Sequence, residues 1–241
     1  MKVTGGIVEV AQLDHATVCE MFGLFDRYFQ DVNRSQFEAD LFVKDRVILL
    51  RAKARIVGFS TLRLSKEIFE NECIIVLRSG DTIVDSEYWS TTELQRIFVS
   101  YAVDQMHRHT EPLYWLLICS GYRTYRYLPL FFREFWPNHA KETPEHVKRL
   151  MQELARSCFG DKYHDGIVVD INGQLRDHVS PVDDRLLNNP HVSFFINTNP
   201  NHVLGHELVC VAQIRQDNLT RAVTKITSRL ETNADSVPTF K

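Results

Sequence analysis

The chain has 241 residues, 44% of them hydrophobic and 24% charged, the balance of an ordinary globular protein, which excludes a disordered, collagen-like or long coiled-coil chain. Lys plus Arg is 28 against 31 Asp plus Glu, a net charge of −3, whereas a dedicated nucleic-acid binder carries a strong basic excess. No apolar run approaches the roughly 18 residues of a membrane span. No basic start followed by an apolar core is visible, so no secretory leader is expected. The five cysteines are widely spaced with no CxxC, which argues against a disulfide framework or a zinc site, and Cys73, Cys119 and Cys210, inside apolar runs, are expected to be small buried hydrophobes in a reducing cytoplasm.

In chain order, Ile7 to Val10 reads as a strand, and Asp14 as the N-cap of a helix with Val18, Met21, Phe22, Phe25, Tyr28 and Phe29 on one stripe. Ser35 starts a second helix whose Phe37, Leu41 and Phe42 are expected to face inward. Arg46 to Lys53 and Ile56 to Leu64 form a hairpin signal. Cys73 to Leu77 and Thr82 to Val84 continue as strand, interrupted at Ser79-Gly80-Asp81, which predicts a bulge or kink.

A helix follows from Ser90 or Thr91, with Leu94, Ile97, Phe98 and Tyr101 at i, i+3, i+4 and i+7. Leu113 to Cys119 is a continuous apolar strand, as expected for burial on both faces. An aromatic helix is expected from Tyr122 to Phe135, kinked or broken at Pro129. Pro137 to Thr143 reads as a linker and Thr143-Pro144 as a helix start. Beyond it the pattern predicts strands at Gly166 to Ile171, Val192 to Ile196 and Glu207 to Ile214, then a helix from Asn218 to Leu230 and a frayed tail. This alternation predicts an α/β fold with a mixed sheet.

A strand that feeds a helix N-terminus through Asp85-Ser86-Glu87-Tyr88 and Trp89-Ser90-Thr91-Thr92 offers unpaired N–H groups to an anion. This junction and the element order resemble the GNAT acyltransferase superfamily over about Ile7 to Pro137. The resemblance implies a GNAT-like mixed central sheet flanked by helices, with a C-terminal elaboration. It divides the chain into a GNAT-like core at 1–137, an extension completing the same sheet at 138–230, and a flexible tail at 231–241. In that family the loop before the helix carries Q/R-x-x-G-x-G/A and holds the acyl-CoA pyrophosphate. Here Trp89, Ser90, Thr91 and Thr92 stand in its place, with neither the leading basic residue nor the glycines, and Glu93 follows. Arg123 and Arg126 are a second basic spot able to receive a phosphate or dock a carrier protein.

The resemblance further implies acyl transfer from a thioester to an amine. The family often places a tyrosine after the fifth strand as general acid toward the leaving thiolate. Tyr125 and Tyr127 are the candidates, with Tyr122 nearer the strand end, and core packing is the competing role. Among the acids Asp81, Asp85 and Glu87, Asp81 and Glu87 are preferred as base, although Arg78-Ser79-Gly80-Asp81 also suits a salt-bridged bulge. The aromatic run through Phe131, Phe132, Phe135 and Trp136 hints at a long acyl chain, delivered by acyl-CoA or by acyl carrier protein. His202 and His206 lie in a turn-rich segment, where no metal is expected. The expected setting is a cytoplasmic protein with a small-molecule amine substrate, no nucleic-acid partner and no membrane span; homodimerisation is left open. The rival reading is a non-catalytic GNAT-like module that binds a small molecule or a protein.

Overall fold

The computed structural model describes residues 2–169, 174–176, 179 and 183–232. The elements are β1 (Val3–Glu9), α1 (His15–Tyr28), β2 (Phe29–Gln30), α2 (Arg34–Phe42), β3 (Arg46–Ala52), β4 (Arg55–Phe69), β5 (Glu72–Val84), α3 (Glu93–Arg108), β6 (Leu113–Cys119), α4 (Tyr122–Tyr125), α5 (Tyr127–Phe131), α6 (Glu145–Phe159), β7 (Tyr163–His164), β8 (Ile167–Val169), β9 (Gln174–Leu175), α7 (Asp184–Leu187), α8 (Pro190–Thr198), β10 (His206–Gln213) and α9 (Arg221–Thr232). Eight strands form one sheet in the order β1-β3-β4-β5-β6-β10-β8-β7, and β2 pairs with β9 apart from it. Among the described strand pairs of that sheet, β5–β6 is parallel and the rest are antiparallel. This is the mixed, helix-flanked sheet expected from the sequence.

Both faces of the sheet are covered. On one, α3, α5, α8 and α9 pack over Ile48, Leu50, Ile75, Leu77, Trp115, Leu117 and Cys210. On the other, α1 and α2 cover Val47, Leu49, Phe59 and Ile83, and α6 covers Ile74, Val76, Leu116 and Val209. Burial on both sides explains why β6 has no polar alternation.

Local chemistry sets the helix ends. The Asp14 carboxylate accepts from Thr17 N at 2.7 Å, the expected cap of α1. The cap of α2 is Asn33, which accepts from Gln36 N, rather than Ser35. Phe42 is 58% exposed at the end of α2, contrary to the inward position expected of it.

Two larger corrections concern the second half. Val192 to Ile196 is not a strand but the middle of α8, because the Asn189 side-chain Oδ1 accepts from His191 N and Val192 N and Pro190 fills the first helical position. The single aromatic helix expected from Tyr122 is two short pieces, α4 and α5, that meet at Arg126. That break leaves Pro129 in the first turn of α5, where no intrahelical N–H is required of it. Phe132 and Trp136 then bridge to Leu219 and Val211 in extended conformation. The far end of the expected strand Gly166 to Ile171, and the tail beyond 232, lie outside the described residues.

Candidate active site

The parallel ladder between β5 and β6 runs from Ile75–Leu113 to Ser79–Leu117 and stops. Beyond it, Gly80–Val84 pair with β4 alone, and Ile118 and Cys119 pair with β10 alone. The two strands therefore part at Ser79 and Leu117. The register between β4 and β5 shifts at the same level, between Phe59 and Thr61, and Asp81 adopts φ 41°. This is the bulge expected at Ser79-Gly80-Asp81. It exchanges the two faces of β5. Ile75 and Leu77 face α3 before it, whereas Ile83 beyond it faces α1 and α2.

On the α3 face, the parting is lined by Ser60, Ser79, Thr82, Gln95, Trp115, Thr124, Tyr127 and Phe131, with Leu94, Phe98 and Leu117 behind them. The Trp115 indole N–H donates to Ser79 Oγ at 2.9 Å, and the Ser60 and Thr82 hydroxyls share a hydrogen bond of 2.7 Å. The Gln95 amide nitrogen donates to the Tyr127 hydroxyl at 3.2 Å. Tyr127 stacks on Phe131 with ring centres 5.7 Å apart, and Phe98 lies 4.6 Å from Trp115. Together these rings close the cleft to about 10 Å³ of water-accessible space. Burial pushes the Tyr127 phenol above its ordinary value, against the opposing effects of Gln95 and Arg123.

The junction leading into α3 immediately precedes Leu94 and Gln95 of the cleft. The Trp89 indole N–H donates to Val84 O at 2.7 Å, and the Arg123 guanidinium lies 4.2 Å from the Trp89 ring centre. Arg123 thus bridges from α4 to the junction. Ser90 and Thr92 are exposed, while Thr91 Oγ1 accepts from Glu93 N at 3.3 Å. Glu93 is engaged by Arg96 in a two-point ion pair at 2.8 and 2.9 Å, which offsets its charge at the helix start. Arg126 is exposed at the end of α4.

On the opposite side, Asp81 Oδ2 accepts from Thr61 Oγ1 at 3.3 Å. Burial pushes the Asp81 carboxyl above the ordinary carboxylate range, opposed by Lys44 and reinforced by Asp40. The preferred base and Tyr127 therefore flank the parting, one toward α2 and one toward α3. The structure places the other sequence-predicted residues elsewhere. The Asp85 carboxylate is buried and held by Arg27 at 3.2 Å, Arg55 at 3.4 Å and the Tyr28 hydroxyl at 3.2 Å. Glu87 is exposed and lies 3.5 Å from Arg55. Tyr125 is buried against Phe135, Phe194 and Phe195, and its hydroxyl donates to Pro137 O at 2.9 Å. Tyr122 is likewise in the core.

Sequence reasoning missed Gln95, Ser60, Thr82 and Trp115. Gln95 sits beside Leu94 in a helix read for its apolar stripe, and nothing in hydrophobic periodicity singles out a polar neighbour. Ser60 and Thr82 sit on strands more than twenty residues apart and meet only through the β4–β5 register.

No protein-family model matches the sequence, and no curated protein matches it. Solved structures do match in part. A probable N-acyltransferase from Enterococcus faecalis V583 aligns with a TM-score of 0.41 and 13% identity over 53% of this chain and 32% of its own. The present chain thus spans about a third of the length of that protein. Naa50 of Arabidopsis thaliana, in complex with a bisubstrate analogue CoA-Ac-MVNAL, aligns with a TM-score of 0.41 and 10% identity over 89% of this chain and 100% of its own. The GNAT family N-acetyltransferase YhbS of Escherichia coli, in complex with CoA, aligns with a TM-score of 0.36 and 12% identity over 50% of this chain and 65% of its own.

Proposed function

We propose that the protein is an N-acyltransferase that moves an acyl group from a pantetheine-type thioester to an amine. The observation that carries this reading is the parting of β5 from β6 at Ser79 and Leu117, with the bulge at Gly80 and Asp81 beside it. Beyond Ser79, the backbone N–H groups on the open edge of β5 have no β6 partner, and a thioester carbonyl there would receive them. The amine attacks that carbonyl carbon and the C–S bond breaks. Asp81 takes the proton from the nitrogen, directly or through water, helped by a carboxyl already less acidic than usual. Tyr127 gives a proton to the departing sulfur. Of the two candidate tyrosines it has the better position, because its hydroxyl lines the cleft, whereas that of Tyr125 is engaged by Pro137.

The donor is a thioester of coenzyme A or of acyl carrier protein. A carrier protein suits a junction that has no glycines to approach a pyrophosphate, and Arg123 beside it and Arg126 at the end of α4 are basic groups. A long acyl chain suits the aromatic lining. The protein's setting in this reading is the cytoplasm. A second reading, a non-catalytic binding module, is favoured by the closed cleft, since a donor arm enters only when Tyr127 and Phe131 move aside.

Thermal unfolding with acetyl-CoA, a long-chain acyl-CoA and acyl carrier protein separates the two. A donor at 100 times its dissociation constant stabilises the fold by about 2.7 kcal/mol. Stabilisation by one of them, followed by thiol release when amines are added, supports the enzyme. No shift with any thioester sinks donor binding and leaves the binding module.

A further inference from the structure

Gln95 carries a buried polar atom that its neighbours leave unpaired: its amide nitrogen donates to the Tyr127 hydroxyl, while its Oε1 is buried without a hydrogen-bond partner among the described residues. The orphan does not depend on the direction of the amide. A phenol both donates and accepts, so Tyr127 can pair with either end, and the other end then stays unpaired. A buried polar group in this state destabilises the fold, and native proteins keep few of them. The position is not one that packing demands. Its neighbour Leu94 is buried in the apolar core, and an apolar side chain at 95 would remove the orphan, at the cost of the hydrogen bond to the Tyr127 hydroxyl.

The surroundings indicate what the orphan is for. The cleft around Gln95 is apolar along Leu94, Phe98, Trp115, Leu117 and Phe131, with hydroxyls at Ser60, Thr82 and Thr124. The Ser60 and Thr82 hydroxyls bond to one another, and Ser79 Oγ accepts from Trp115. Gln95, with the Thr124 hydroxyl, is therefore left to meet a ligand that brings both a donor and an acceptor. A secondary amide is such a group, because its N–H and C=O mirror those of the glutamine side chain.

We infer that Gln95 is a binding residue for an amide-bearing chain that enters the cleft beside Tyr127, and that it selects such a chain over a purely alkyl one. This rests on the thioester-donor reading above and narrows it. The donor is recognised through an amide of its arm, inside the cleft, in addition to any contact at Trp89 or Arg123. Entry breaks the Gln95–Tyr127 hydrogen bond or slides Tyr127 along it. Either movement brings the phenol and the amide to the ligand together.

The experiment is a two-by-two cycle. Wild type and Gln95→Met are titrated with S-acetyl-pantetheine and with an S-acetyl alkanethiol of the same chain length lacking amides, and Gln95→Leu serves as the second variant. Wild type is expected to bind the pantetheine thioester about tenfold more tightly than the alkyl one, the ratio that one hydrogen bond in a dry site supplies. Both variants are expected to bind the two thioesters equally and, since each removes the orphan together with the partner of the Tyr127 hydroxyl, to melt within a few degrees of wild type when free. A tenfold preference that survives in the variants overturns the inference and leaves the donor reading standing. Variants that melt several degrees lower without ligand overturn it too, since Gln95 would then be a structural group. Failure of wild type to bind either thioester, or acetyl-CoA, overturns the donor reading and this inference together.

Discussion

The Tyr125 hydroxyl donates to the Pro137 carbonyl at 2.9 Å, tying α4 to the start of the segment that leads into α6. Two residues along, the Tyr127 hydroxyl faces the cleft and meets Gln95. Two tyrosines that look equivalent in sequence thus have different surroundings. Tyr125→Phe removes one hydrogen bond and leaves the Pro137 carbonyl unsatisfied, a cost of about 1–2 kcal/mol. Its melting temperature should fall by a few degrees and its turnover should hold. Tyr127→Phe removes the partner of the Gln95 amide and should also melt a few degrees lower, but it should lose about a hundredfold or more in turnover with amine in excess. The reverse pattern would make Tyr125 the proton donor.

Asp85 and Glu87 separate in the same way. Asp85 is 4% exposed and takes two guanidinium groups and a phenol, while Glu87 is exposed beside Arg55. Asp85→Asn removes the buried partner of both arginines. Those arginines are half exposed, so water compensates part of the loss, and the cost should be about 2–3 kcal/mol rather than the full price of a broken buried pair. Glu87→Gln should cost less than about 1 kcal/mol. Urea denaturation reads both, and equal midpoints for the two variants would contradict the assignment of Asp85 as the anchor of the junction.

How much of this was legible beforehand follows from where the signals lie. The bulge at Gly80 and Asp81 was readable because a Ser-Gly-Asp break inside an apolar run is a local signal. The strand Leu113 to Cys119 and the stripe of α3 were readable for the same reason. Helix α8 was not, because Val192 to Ile196 is too short and too apolar to betray its period, and only Asn189 and Pro190 together mark a helix start. The proposed site was readable only as candidates. Asp81 was named with Glu87 as an acid and Tyr127 with Tyr125 from the family resemblance, and the placement of Asp81 and Tyr127 on opposite sides of the parting depends on the parity change at the bulge. The Ser60–Thr82 pair and the Gln95 orphan are products of tertiary packing, with no local sequence signature.

Trp89 and Arg123 join the α3 junction to α4 through an exposed cation–π contact, worth about 0.5–1 kcal/mol. An obstacle of that size is easily displaced by a ligand, yet it must move before any chain enters between the α3 junction and α4. Trp89→Ala should therefore leave the melting temperature within a few degrees of wild type and speed donor association, measured by stopped-flow fluorescence. An unchanged association rate would mean that the donor approaches by another route.

Asp81 offers a test by pH with a definite sign. Burial raises its carboxyl in the folded protein above the ordinary 3.8 of the unfolded chain. Between those two values the folded protein holds a proton that the unfolded chain has lost. This contribution to stability is full below about 3.8 and is lost as pH rises through the folded value. Asp81→Asn has no proton to lose, so its stability relative to wild type should grow from pH 4 toward pH 7. If Asp81 is also the base, the acid limb of the wild-type rate profile should lie above the ordinary carboxylate range, and the variant should lose about 10²–10⁴ in rate. Stability curves for wild type and variant that run parallel across this range would show that the carboxyl is not held above its ordinary value. A flattened stability curve with full activity in the variant would instead make Asp81 a structural acid of the bulge and move the search for the base elsewhere around the parting.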